Sequence, residues 1–90
     1  MENTFETVFL IFVLKEEKPK TSVYSVISKS SNCELGEVKW HPGWRHYCFF
    51  PTTEYETVYS DRCLKEISNF ITGLNGLHRE LKHKIPFGGI

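Results

Sequence analysis

Seven side chains in this sequence are able to bind a metal: Cys33, His41, His46, Cys48, Cys63, His78 and His83. Structural zinc usually draws ligand pairs from tight turns, with two to four residues between the partners. His46 and Cys48 are two apart and would share one face of a strand, but no pair of knuckles is present. Cys48 and Cys63 therefore read as core thiols, the histidines as surface residues, and no metal is expected. A nucleophilic pair could be assembled from Cys48 or Cys63 with His46 or His41. It would need a base within hydrogen-bond reach and a third group to orient that base, which spacing alone does not supply. Cys63 falls in the first turn of a helix, where the dipole lowers a thiol pKa, but it adjoins an apolar face where burial makes a thiol inert. Glu54 and Glu56 flank Tyr55, with Asp61 following. An acid–base pair needs environments that split the two pKa values, and these polar neighbours read as solvated. No catalytic motif is complete, so the chain is read as a non-enzyme without cofactor.

The more distinctive chemistry is binding chemistry. Residues 35–51, LGEVKWHPGWRHYCFFP, hold both tryptophans and interleave Lys39, Trp40, Trp44, Arg45 and Tyr47. The stretch reads as a strand, a tight turn at His41-Pro42-Gly43, and a second strand Trp44–Phe50. On an extended second strand, Trp44, His46, Cys48 and Phe50 take one face, and Arg45, Tyr47 and Phe49 the other. If the latter set faces away from the helix, it forms an aromatic and basic surface. Strand aromatics can stack bases while cations meet phosphates. The same residue types lead protein-interface hot spots. Arg45 either anchors such a partner or braces its own hairpin, by stacking on Tyr47 or a tryptophan and pairing with Glu37 or Glu56.

The elements that must position this hairpin follow from hydrophobic patterning. Phe5–Leu14 is apolar on both alternating faces and rich in aromatic and β-branched residues, which predicts one strand buried on both sides. The charged run Lys15–Lys20, with Pro19, predicts a turn. Thr21–Ser28 predicts a second strand, Lys29–Glu34 a polar loop and Leu35–Trp40 a third strand, with Gly36 at a bulge or close backbone approach. Thr57–Tyr59 reads as a short extended segment. Ser60 or Asp61 then caps a helix, with Tyr59 and Leu64 spaced as a hydrophobic staple. Leu64, Ile67, Phe70, Ile71 and Leu74 line one helical face, opposite Arg62, Lys65, Glu66, Asn69 and Thr72. Burying those five apolar side chains is worth about 10 kcal/mol gross. The helix either stops at Asn75-Gly76 and resumes over Leu77–Lys84, or runs through both glycines at about 1 kcal/mol each. One domain is expected over residues 1–84, with a loose tail over 85–90.

The motif LGEVKWHPGWRHYCFFP, followed by TVYSDRCLKEISNFI, resembles a pattern of small uncharacterised bacterial, phage and mobile-element proteins, roughly LGxIxWxxxWRxYxFxP and then CLxxIxxF. It falls on Leu35, Gly36, Trp40, Trp44, Arg45, Tyr47, Phe49, Pro51, Thr57, Cys63, Leu64, Ile67 and Phe70. The resemblance spans residues 35–71 and implies a compact ββ…α unit of bacterial or phage origin. It implies no activity.

Composition bounds the rest. Ninety residues with eleven basic and eleven acidic side chains give zero formal charge. A nucleic-acid binder usually carries a basic excess, because phosphate neutralisation supplies most of its affinity. Zero charge also leaves little repulsion between copies. Three cysteines without a CxxC pair are not a disulfide framework. The run Val8–Leu14 is too short to span a bilayer, and the acidic residues before it do not make a signal peptide. A cytoplasmic protein that does not engage membranes is expected. Its fold is read as α+β, an antiparallel meander of about four strands with a C-terminal helix on one face. One helix leaves the second sheet face bare, and the simplest cover is another copy of the chain. The expected function is that of a non-enzymatic protein-interaction module of bacterial or mobile-element origin, acting as a homodimer or on another protein. The competing reading is a single-stranded nucleic-acid binder that uses hairpin 39–49.

Overall fold

The apolar run Phe5–Leu14 doubles back on itself. The computed structural model describes residues 3–84, with side chains through Arg79. In it the run splits into β1 (Thr4–Glu6) and β2 (Leu10–Glu17), paired antiparallel with Phe5 opposite Phe12. Nothing between them signals a turn, because Thr7-Val8-Phe9 contains neither glycine nor proline. The corner is held by side chains instead. Thr7 Oγ1 accepts from the Leu10 amide at 3.1 Å. The Glu66 carboxylate, 59 residues away on the helix, accepts from the Thr7 hydroxyl and from the Phe9 amide.

β3 (Ser22–Ser28), β4 (Glu34–His41) and β5 (His46–Pro51) follow, and the five strands form a meander in the order β1-β2-β3-β4-β5. α1 (Asp61–Lys84) lies across one face. The α+β class, the antiparallel meander and the C-terminal helix are those the sequence predicts, and the fifth strand is the product of the corner at residues 7–9. Residues 52–60 contain no strand, so the extended segment expected at Thr57–Tyr59 is irregular.

The core sits between sheet and helix. Leu10, Phe12, Val26 and Val38 are fully buried, joined by Leu35, Tyr47 and Ile67. Phe70 stacks on Phe12 with ring centroids 4.1 Å apart and meets Tyr24 edge-on at 5.0 Å. Cys63, Phe70, Ile71 and Leu74 complete the helical stripe. Leu64, expected in that stripe, is 51% exposed, because the buried face is rotated toward Cys63. Ser60 caps the helix, its Oγ accepting from the Cys63 amide at 3.2 Å.

β4 carries a bulge at Leu35, which lies between the pairs Val26↔Gly36 and Ile27↔Glu34. A Cβ on Gly36 would sit 2.9 Å from the Phe49 ring and closer still to the Phe50 carbonyl, so only glycine fits there. The Tyr59 hydroxyl and the Thr52 amide both donate to the Leu35 carbonyl, tying the irregular segment to the bulge.

The helix does not stop at Asn75-Gly76 but runs unbroken to Lys84. Asn75 helps to hold it there. Its Oδ1 accepts the outward amide of Tyr47 on edge strand β5 at 2.7 Å, which satisfies a donor that would otherwise invite another strand. The expected tail, 85–90, lies outside the described residues.

The face opposite the helix carries Ile11, Val13, Val23 and Ile27 beside a charge cluster. Lys15 bonds Glu37 at 2.5 Å, and Lys39 lies 3.5 Å from the same carboxylate. The strand expected to be buried on both faces is therefore buried only on the helix side, since Ile11 and Val13 are merely half-covered. No helix among the described residues is long and apolar enough to cross a membrane.

Candidate functional site at the hairpin tip

The β4–β5 hairpin pairs His41 with His46, which leaves a four-residue loop, Pro42–Arg45. The second strand thus begins two residues later than the sequence suggests. Gly43 is not the residue in the left-handed conformation. That is Arg45, with φ of 59°. Its amide donates to the His41 carbonyl at 2.7 Å, which closes the turn. An arginine in this region carries a strain on the order of 1 kcal/mol that glycine would not.

This geometry separates the five residues singled out in the sequence. Trp40 and Tyr47, directly paired, point toward the helix. Tyr47 is 5% exposed and its hydroxyl accepts from the Ser22 amide at 3.0 Å. The outward face proposed for Arg45, Tyr47 and Phe49 therefore does not exist. Tyr47 and Phe49 are inside because they pair with Trp40 and Val38 of the inner face, and Arg45 belongs to the turn rather than to the strand. Arg45 also pairs with neither Glu37 nor Glu56. Glu37 is taken by Lys15 and Lys39.

Lys39 and Trp44 lie on the outer side, in company the sequence reading missed. Trp44 is 66% exposed. Its ring stacks on His41 at 4.9 Å and 26°, and His41 Nδ1 accepts the Trp44 amide at 3.1 Å. His41 in turn lies parallel to Phe50 at 6.0 Å, and Lys39 Nζ sits 4.7 Å over the Phe50 ring. Trp44, His41, Phe50 and Lys39 thus form a continuous row from the tip onto the open sheet face. The signal was available. On β4, Lys39 and His41 share a face by alternation, and across the ladder that face continues to Cys48 and Phe50.

On the other side of the tip a cleft of about 430 Å³ opens between the hairpin and the second half of α1. Trp40, Arg45 and His46 form one wall, and Thr72, Asn75, His78 and Arg79 the other. The helical residues recur at spacings of three and four, but they share a face only in a helix drawn through Gly76.

Among the described residues the thiols and histidines do not converge on one another. Burial pushes the Cys48 thiol up, away from a reactive thiolate. Cys33 is exposed, and His41 is engaged by the Trp44 amide. Among the described residues no three His, Cys, Asp or Glu side chains converge as a metal site would require. The chain finds no counterpart in the comparisons: no family model matches it, nor does any curated protein or solved structure.

Proposed function

We propose that the protein is a non-enzymatic protein-interaction module that docks through the tip and outer face of the β4–β5 hairpin, with a second copy of the chain as its simplest partner. The observation that carries this reading is Trp44. A large apolar ring held two-thirds exposed by a stacking histidine and a backbone bond is preorganised for a partner. Little side-chain entropy remains to be lost when such a ring is buried, and tryptophan leads the residues whose truncation weakens interfaces. The row continues onto the sheet face that α1 leaves bare, where Ile11, Val13 and Ile27 offer further apolar area. Zero net charge allows copies to approach.

A second reading, single-stranded nucleic-acid binding, draws on the same row, because ring faces beside a lysine suit base stacking. The engagement of Lys39 with Glu37 and Phe50 favours the protein partner. Sedimentation velocity over a range of concentrations tests the choice. The wild type should associate, and Trp44→Ala should weaken association at least about tenfold, or 1.4 kcal/mol, with an unchanged melting midpoint. A wild type that stays monomeric throughout, yet shifts a labelled single-stranded oligonucleotide in a Trp44-dependent manner, would replace the first reading with the second.

A further inference from the structure

We propose that the cleft between the hairpin tip and α1 is a phosphate-ester site that takes a nucleotide unit, with Arg45 and Arg79 meeting the phosphate and the adjoining Trp40 and His78 rings, one from each wall, forming the aromatic surface against which the base lies.

The charge distribution points to an anion. The chain as a whole is neutral, but the cleft brings together two of its three arginines with His46 and His78, and among the described residues no carboxylate lines it. Four carboxylates are engaged elsewhere. Glu34 and Glu37 face Lys15, Glu6 pairs with Lys29, and Glu66 holds the β1–β2 corner. The observed acid–lysine pairs thus lie on the sheet and at its edges, while Arg45 and Arg79 meet at the cleft. A guanidinium presents two parallel donors to phosphate oxygens, which a lysine does not.

The turn supports the same assignment. Arg45 occupies the left-handed position where glycine would be free of strain, although a glycine stands only two residues earlier. A strained residue that the fold does not need calls for another reason to be arginine. The aromatic surface is built from both walls and braced. The Trp40 and His78 rings lie 4.5 Å apart, and Trp40 is braced edge-on by Tyr47 at 5.5 Å. Asn75 is oriented by its bond to the Tyr47 amide, which uses its oxygen and leaves its NH₂ group as a donor at the cleft. Cationic donors beside an aromatic wall, in a space of about 430 Å³, match a phosphate joined to a planar base better than a bare inorganic anion. The assignment is independent of what docks on Trp44, which does not line the cleft.

The phosphate ester could be a free nucleotide or a link in a single strand, and titrations distinguish them. Adenosine 5′-monophosphate, inorganic phosphate and a labelled oligothymidylate are titrated into the full chain, with calorimetry or anisotropy as readout. The variants are Arg45→Gly and Arg79→Gln. Arg45→Gly relieves the turn, so its melting midpoint should rise while its affinity falls about tenfold or more, an outcome that misfolding cannot mimic. Arg79→Gln should lose a similar factor. Binding of the monophosphate, lost in both variants, supports a free-nucleotide site. Binding of the oligonucleotide alone, lost in both variants and weakened by salt, supports the site with nucleic acid as its source. The proposal is overturned if no probe binds, if inorganic phosphate binds as tightly as the monophosphate, or if affinities are unchanged in both variants. It is equally overturned if a phosphoserine peptide binds while both nucleotide probes are silent. A failure here leaves the Trp44 sedimentation result untouched, and the reverse holds as well.

Discussion

Gly76→Ala decides whether α1 is one helix or two, and with that whether His78 and Arg79 stand beside the hairpin at all. In the continuous helix Asp61–Lys84, a Cβ added at Gly76 meets nothing within 4 Å. The substitution then carries no steric cost and removes the entropy penalty of an interior glycine, so it should stabilise by about 0.8–1 kcal/mol. For a chain of this length that raises the melting midpoint by about 4–8 °C. If the helix instead ended at Asn75, Gly76 would be the residue just past the end, in the left-handed conformation. Alanine there would destabilise by about 1–2 kcal/mol. The two arrangements thus differ in sign. Gly73→Ala is the internal control, since Gly73 is helical in both and is equally open. Urea denaturation followed by far-ultraviolet circular dichroism reads the result, with an unchanged slope showing that the same surface unfolds. Both variants should move the midpoint upward. A rise for Gly73→Ala with a fall for Gly76→Ala would refute the continuous helix and dissolve the cleft.

Two further outcomes follow from the edges of the fold. Asn75→Ala should cost about 1–2 kcal/mol, because the Tyr47 amide loses its acceptor, and hydrogen exchange at that amide should quicken. Asn75→Asp, which keeps an acceptor, should restore the protection, and an unaltered exchange rate in Asn75→Ala would remove the edge bond from the account. The Lys15 bond holds the Glu37 carboxyl below its usual value of 4.5. A depressed carboxyl pKa stabilises the fold above the unfolded value and loses that contribution as pH falls through the folded one. Wild type should therefore exceed Glu37→Gln in stability at neutral pH, by no more than about 1 kcal/mol for a pair this exposed, and the difference should vanish in strong acid. A difference that persists there would mean that the ion pair is not its source.

The amino-acid sequence by itself determined the elements that depend on neighbours along the chain. The helical period of Ile67, Phe70, Ile71 and Leu74, a cap at Ser60 or Asp61 and the demand for glycine at position 36 are all local patterns, and each is where the sequence places it, whereas the charged turn expected over Lys15–Lys20 begins only at Lys18 because β2 runs on to Glu17. The class of fold follows from them, since a helix with one apolar stripe must bury it on the sheet. What only the tertiary structure decided is whatever rests on a partner distant in sequence. The corner at Thr7–Phe9 has no turn residue of its own and is held by Glu66. The passage of α1 through two glycines is braced by Asn75 bonding an edge amide of β5. Alternation keeps Tyr47 and Phe49 on one face of β5 and His46, Cys48 and Phe50 on the other wherever the strand starts, but which set meets the helix is a tertiary matter, and the left-handed Arg45 leaves the strand altogether. Because side chains on a strand alternate, placing one ring on the helix side places the others. A six-residue strand carries no local signal strong enough to make that choice, whereas the pairing of Tyr47 with Trp40 and the burial of Tyr47 do.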